Sequence, residues 1–108
     1  MPTNPILAAA VDELLQRAKA IAGTLPADID AQRQRYTDEI EALARAVLAG
    51  QMTVDEARYE LAQAKSALVQ SIGTAGLNVF GKRRAVLAAA VETGLSMALR
   101  VALGALAA

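Results

Sequence analysis

The chain contains no cysteine, no histidine and no tryptophan. Disulfides, thiolate nucleophiles, zinc sites of the Cys/His type and imidazole acid–base chemistry are therefore excluded, and with them most enzyme classes. The redox compartment stays open, because a helical domain of this size needs no staple. Aromatic residues are scarce: Tyr36, Tyr59 and Phe80 are the complete set. Hydrophobic residues make up 55% of the chain, but about a quarter of all positions are Ala. Ala buries little area and aromatics bury much, so a core built from this alphabet gains less per residue than usual. Helices that pack on copies of themselves or on a partner are expected. At 108 residues the chain is one domain or less.

A basic leader is also missing. The opening MPTNPILAAAVDELL has no positive segment before its apolar run, which stops at Asp12 and Glu13. It reads as the start of a mature helix and not as a signal peptide. The formal net charge is zero, yet residues 1–76 carry seven Lys/Arg against ten Asp/Glu, and residues 77–108 carry four against Glu92 alone. The chain thus divides into an acidic helical region, 1–76, and a basic elbow with a hydrophobic tail, 77–108. Such a split guides docking between neighbours, or seats the basic end near anionic lipid or nucleic acid.

The punctuation predicts an all-α fold of four helices. Asn4 and Pro5 suit an N-cap and first turn, and Leu7, Val11, Leu14, Ala18, Ile21 and Leu25 then recur at steps of four and three, giving a helix over about 5–23. A second helix over about 28–49 carries the seam Ile29, Arg33, Tyr36, Ile40, Leu43 and Val47, with Arg33 as its polar intruder. Gly50 closes it. Thr53 and Glu56 have capping-box spacing, opening a third helix over about 54–72 with Val54, Ala57, Leu61, Ala64, Leu68 and Ile72 on one face. The short link AGQMT makes these two an antiparallel, coiled-coil-like hairpin.

This hairpin resembles the short bacterial oligomerisation hairpins of the SHOCT type. In those, a leucine-rich helix runs into Gly, an apolar residue, Thr, acidic residues and a helix with a Lys before closing leucines. Leu43, Leu48, Gly50, Met52, Thr53, Glu56, Lys65 and Leu68 take those places here, over residues 43–68. The aromatic that follows the acidic pair in the family is Ala57, with Tyr59 two residues later. The resemblance implies self-association.

Gly73, Gly76 and Gly81 predict an elbow before a last helix over about 82–107. Gly76, Gly81 and Lys82 also match the opening of a phosphate loop. That loop needs a preceding strand and a hydroxyl after the Lys to hold magnesium, whereas here a helical heptad precedes it and Arg83 follows. The match reads as chance. Lys82, Arg83 and Arg84 oppose the dipole of the helix they begin, which calls for a nearby anionic partner: lipid phosphate, nucleic acid or an acidic neighbour.

The last helix is long enough to cross a bilayer, but Glu92 and Arg100 interrupt it. Arg84, Ala88, Glu92, Ser96, Arg100 and Gly104 form a polar stripe. Ala90, Gly94, Ala98 and Ala102 form a small-residue row suited to close helix approach. In a membrane setting Val86, Leu87, Val91, Leu95 and Leu103 would face lipid.

These observations favour a non-enzymatic structural or interaction protein, a homo-oligomer or a subunit of a larger helical assembly such as a bacterial or bacteriophage particle. Its expected oligomer interface comprises Leu7, Val11, Leu14, Ile40, Leu43, Leu61 and Leu68 with Ala90, Gly94, Ala98 and Ala102. The alternative is a membrane-associated or pore-forming protein that inserts its last helix. A near-neutral chain with a pI of about 6.2 argues against nucleic acid as the partner. Adjacent acids such as Asp38 with Glu39 and Asp55 with Glu56 splay around a helix and form no catalytic pair; no cofactor, metal or small-molecule substrate is expected. Titration with magnesium–ATP should give no binding heat, and saturable heat abolished by Lys82→Ala would reinstate the phosphate loop.

Overall fold

The computed structural model describes residues 4–75 and 82–107, which form four α-helices with no strand among the described residues. They are α1 (Pro5–Ala22), α2 (Ile29–Leu48), α3 (Val54–Ala75) and α4 (Lys82–Ala107).

Local chemistry sets the boundaries. The Asn4 Oδ1 accepts from the backbone N–H of Ile6 at 2.9 Å and of Leu7 at 3.3 Å, and Pro5 fills the first turn, where a missing N–H is harmless. Gly23 ends α1 in the left-handed region at φ 86°, donating to the Lys19 carbonyl at 2.7 Å. At the end of α2, Gly50 takes φ 76° and donates to Val47 at 3.1 Å while Gln51 donates to Ala46 at 2.9 Å, a paired closure of the last carbonyls. The capping box then starts α3: Thr53 N–H donates to Glu56 Oε1 at 3.0 Å, and Glu56 N–H to Thr53 Oγ1 at 3.1 Å.

One boundary differs from expectation. α3 runs on to Ala75, through Gly73, instead of yielding to an elbow near residue 72. A Cβ on Gly73 would stand 3.2 Å from the Arg84 Nη1 of α4, the free end of an exposed side chain, so the glycine continues the helix without being demanded by packing. Gly76, Gly81 and the phosphate-loop-like stretch between them lie outside the described residues.

α3 and α4 are antiparallel, since Lys65 pairs with Glu92 while Gly73 lies beneath Arg84. α2 and α3 are antiparallel too: a short turn joins them at one end, and Gln32 bonds Ser71 toward the other. α4 touches all three other helices, and its longest contact is with α1. At about 1.5 Å per residue a helix of 26 residues is about 39 Å long, so α4 sets the 42 Å dimension of a bundle only 26 by 16 Å across.

The core is continuous over all four helices, with Leu7, Leu15, Ile40, Leu68, Ile72, Leu87 and Leu95 fully buried. The division at residue 76 therefore follows charge and not packing. On α1 the buried stripe is Leu7, Val11, Leu14, Leu15, Ala18 and Ala22. Past Ala18 it drifts off the expected heptad: Ile21 is half-buried, and Leu25 packs on the core from beyond the helix. A straight helix repeats every 3.6 residues, so a stripe packed in a globular bundle departs from a strict seven-residue repeat. On α2 the stripe shifts likewise to take in Gln32, Thr37 and Ala44, leaving Leu43 and Val47 half-buried.

The tightest point is where α1 meets α4. A Cβ added to Gly94 would run into Leu14 Cδ1 and stand 3.0 Å from Leu14 Cβ. Gly94→Ala should therefore lower stability by about 1–2 kcal/mol, overpacking outweighing the helix propensity gained. Gly104 has nothing within 4 Å of such a Cβ, and Gly104→Ala should raise stability by up to about 1 kcal/mol. Thermal melts of the two variants, followed by circular dichroism, should move in opposite directions.

Candidate interaction surface

Among the described residues no group of three or more acidic side chains is placed to hold a metal ion. Most carboxylates are already engaged. Glu13 pairs with Arg17 at 3.0 Å, Glu41 with Arg45 at 2.8 Å, and Glu56 caps α3.

Arg33 bridges helices. Its Nη1 meets Asp30 at 2.8 Å on α2, and its Nη2 meets Asp12 at 3.4 Å on α1, while its Nε is buried without a partner. A neighbouring polar link escaped sequence reading. Gln32 is buried, and its amide donates to Asp28 Oδ1 at 2.8 Å and to Ser71 Oγ at 3.0 Å, tying α2 to α3. The sequence shows only a Gln inside an amphipathic helix; its partner is 39 residues away.

The expected oligomer interface is used within the chain. Leu7, Val11, Leu14, Ile40, Leu61 and Leu68 are core residues, Leu43 is half-buried against them, and Ala98 and Ala102 are buried. Gly94 accommodates Leu14, and Ala90 is half-buried beside it on the same row. The expected lipid-facing set divides as well: Leu87, Val91 and Leu95 are buried, Leu103 is half-buried, and only Val86 is largely exposed.

The polar stripe keeps its outward character. Glu92 is two-thirds exposed and lies 3.8 Å from Lys65 Nζ, a loose ion pair across α3 and α4. Ser96 lines the same shallow groove of about 110 Å³ with Arg58 and Ala62. Arg100 is exposed. Lys82, Arg83 and Arg84 are all exposed at the start of α4, where the first turn holds no acid. Arg84 reaches over α3, its Nη1 lying 3.2 Å from where a Cβ on Gly73 would stand.

Large apolar side chains also reach solvent. Leu48 and Val54 flank the α2–α3 turn, 47% and 38% exposed, with half-buried Met52 between them. Val86 and Met97 on α4, Tyr59 on α3 and Ile6 on α1 are more than half exposed.

Compared with family models, with curated proteins and with solved structures, the chain finds no match in any of the three.

The buried link and the exposed pair should respond differently to substitution. Ser71→Ala removes one partner of a buried amide and should cost about 1 kcal/mol. Glu92→Gln breaks a long, solvent-screened pair and should change stability by less than about 0.5 kcal/mol. Urea unfolding of both variants checks this, and equal losses would place Glu92 among the structural residues.

Proposed function

We propose that this chain is a non-enzymatic structural or interaction protein, a small helical subunit that self-associates or docks in a larger assembly. The observation that carries this reading is the apolar tip of the α2–α3 hairpin. Leu48, Met52 and Val54 cluster around a turn held on one side by the Gly50 closure and on the other by the Thr53–Glu56 capping box. A rigid, partly apolar tip supplies anchor residues whose ordering cost has already been met in the free protein. The tip falls inside residues 43–68, the stretch that resembles SHOCT-type hairpins, and that likeness supports the same use. The lack of His and Cys and the engagement of most carboxylates support a non-enzymatic role.

A second reading has its own support. α4 is the one described helix long and apolar enough to cross a membrane by length and composition, which favours a membrane-associated protein. Insertion would require Leu87, Val91 and Leu95 to leave the core.

Self-association is tested by light scattering of the purified chain over a range of concentrations, in buffer and in detergent. The parent should form a discrete oligomer in buffer, and Leu48→Glu with Val54→Glu should reduce it to a monomer of unchanged helicity. A parent that is monomeric throughout would end the self-association reading. A parent dispersed only by detergent would favour the membrane one.

A further inference from the structure

We propose that the folded bundle docks on an anionic bilayer surface through the outer face of α3 and α4, with both helices lying in the headgroup plane and the core kept closed. The face can be traced along α4. Lys82, Val86, Ala89, Thr93, Met97 and Arg100 recur at steps of three and four, and all are exposed. They lie opposite the buried row that includes Leu87, Val91 and Leu95. α3 extends the face sideways: Arg58, Ala62 and Lys65 line the groove shared with Glu92 and Ser96, and Tyr59 beside them is 68% exposed.

Charge selects the occupant. α3 and α4 together carry six Lys/Arg, Arg58, Lys65, Lys82 and Arg100 among them, against the four acids Asp55, Glu56, Glu60 and Glu92. Asp28 together with α1 and α2 carries the opposite excess, seven Asp/Glu against five Lys/Arg, so the bundle has a cationic side and an anionic one. A negative surface would orient it with α3 and α4 inward. The middle of the face is Val86, Ala89 and Thr93, uncharged and without long polar side chains; Met97 stands at its α1 edge, in a groove shared with Glu13 and Arg17, and Tyr59 has the amphipathic ring that settles at headgroup level.

Two other occupants fit less well. A second copy paired two-fold through this face would set cations against cations. A nucleic acid would meet an apolar centre where base or phosphate contacts are needed, with an excess of only two cations over α3 and α4. Docking of this kind needs the folded monomer alone and is independent of the hairpin tip. It also differs from insertion, because Leu87, Val91 and Leu95 stay in the core.

The test is flotation of the full chain with phosphatidylcholine–phosphatidylserine vesicles and with phosphatidylcholine alone. Binding should require the anionic lipid and weaken with salt. Each cation at such a surface is worth about fivefold in partition, so Lys82→Gln, Arg83→Gln and Arg100→Gln together should reduce binding about a hundredfold. Glu92→Gln should strengthen it several-fold. Because the chain has no cysteine, an environment-sensitive label can be placed singly, at Met97→Cys or at the exposed Ala20→Cys of α1. The Met97 label should shift to the blue on anionic vesicles and the Ala20 label should not, while hydrogen exchange of α4 amides stays slow. The Leu48→Gln, Val54→Gln variant, which removes the apolar tip without adding charge, should bind as the parent does, and this separates the proposal from self-association. Equal binding to neutral vesicles, no binding at all, or loss of α4 protection on binding would each overturn the docking proposal. Salt-sensitive binding to duplex DNA without vesicle binding would assign the face to nucleic acid.

Discussion

The close passage of α4 over α1, where Gly94 meets Leu14, is the contact on which the rest of the bundle depends. Ordinary helix pairs stand about 8–10 Å apart, the distance being set by the side chains between them. This chain has few large side chains to fill such a gap. Glycine at the crossing, with Ala18, Ala98 and Ala102 buried on the two helices, lets the backbones come close enough for dispersion contacts to accumulate without bulk. α4 is thereby held in the middle, where it also meets α2 and α3. An Ala-rich, aromatic-poor composition, which on area alone suggested a deficient monomer, closes its own core by proximity.

Polar contacts then decide which helix lies where. An apolar stripe of Leu and Ala tolerates sliding, whereas buried Gln32 pairs with Ser71 at one register. Truncating one partner of a buried pair leaves the other unsatisfied, so misaligned packings of α2 are penalised more than the correct one is rewarded. The exposed pairs on α1 and α2 contribute little to this choice, since water and salt screen them.

Element boundaries were largely legible because their signals are local. Asn4–Pro5, Gly23, Gly50 and the Thr53–Glu56 box each fix a helix end through bonds to residues two to five positions away. Gly73 misled because a single glycine costs a helix only about 1 kcal/mol, which packing of α3 on a distant helix overrides, and nothing beside it in the sequence reveals that packing. The same limit applies to the small row of α4. On the row Ala90, Gly94, Ala98 and Ala102, Gly94 meets Leu14 and the last two residues are buried, but periodicity gives the phase of a face and not the identity of its partner. That partner is α1 of the same chain for Gly94. The outward course of Glu92 and Arg100 was legible, because charge on one meridian of an apolar helix points to solvent whichever helix covers the other side.

The central position of α4 also weighs on the proposed membrane readings, insertion and surface docking. If α4 inserted, its own apolar residues would exchange a protein core for lipid with little loss. The loss would fall on the other three helices. α1, α2 and α3 would each lose the contact that α4 makes with them, and they have too few large side chains to close over the space. Docking through the outer face leaves that cover in place and uses only side chains that already meet water, such as Lys82, Val86, Met97 and Arg100. A helix that serves as the keel of its bundle is therefore better suited to lying on a membrane than to crossing one.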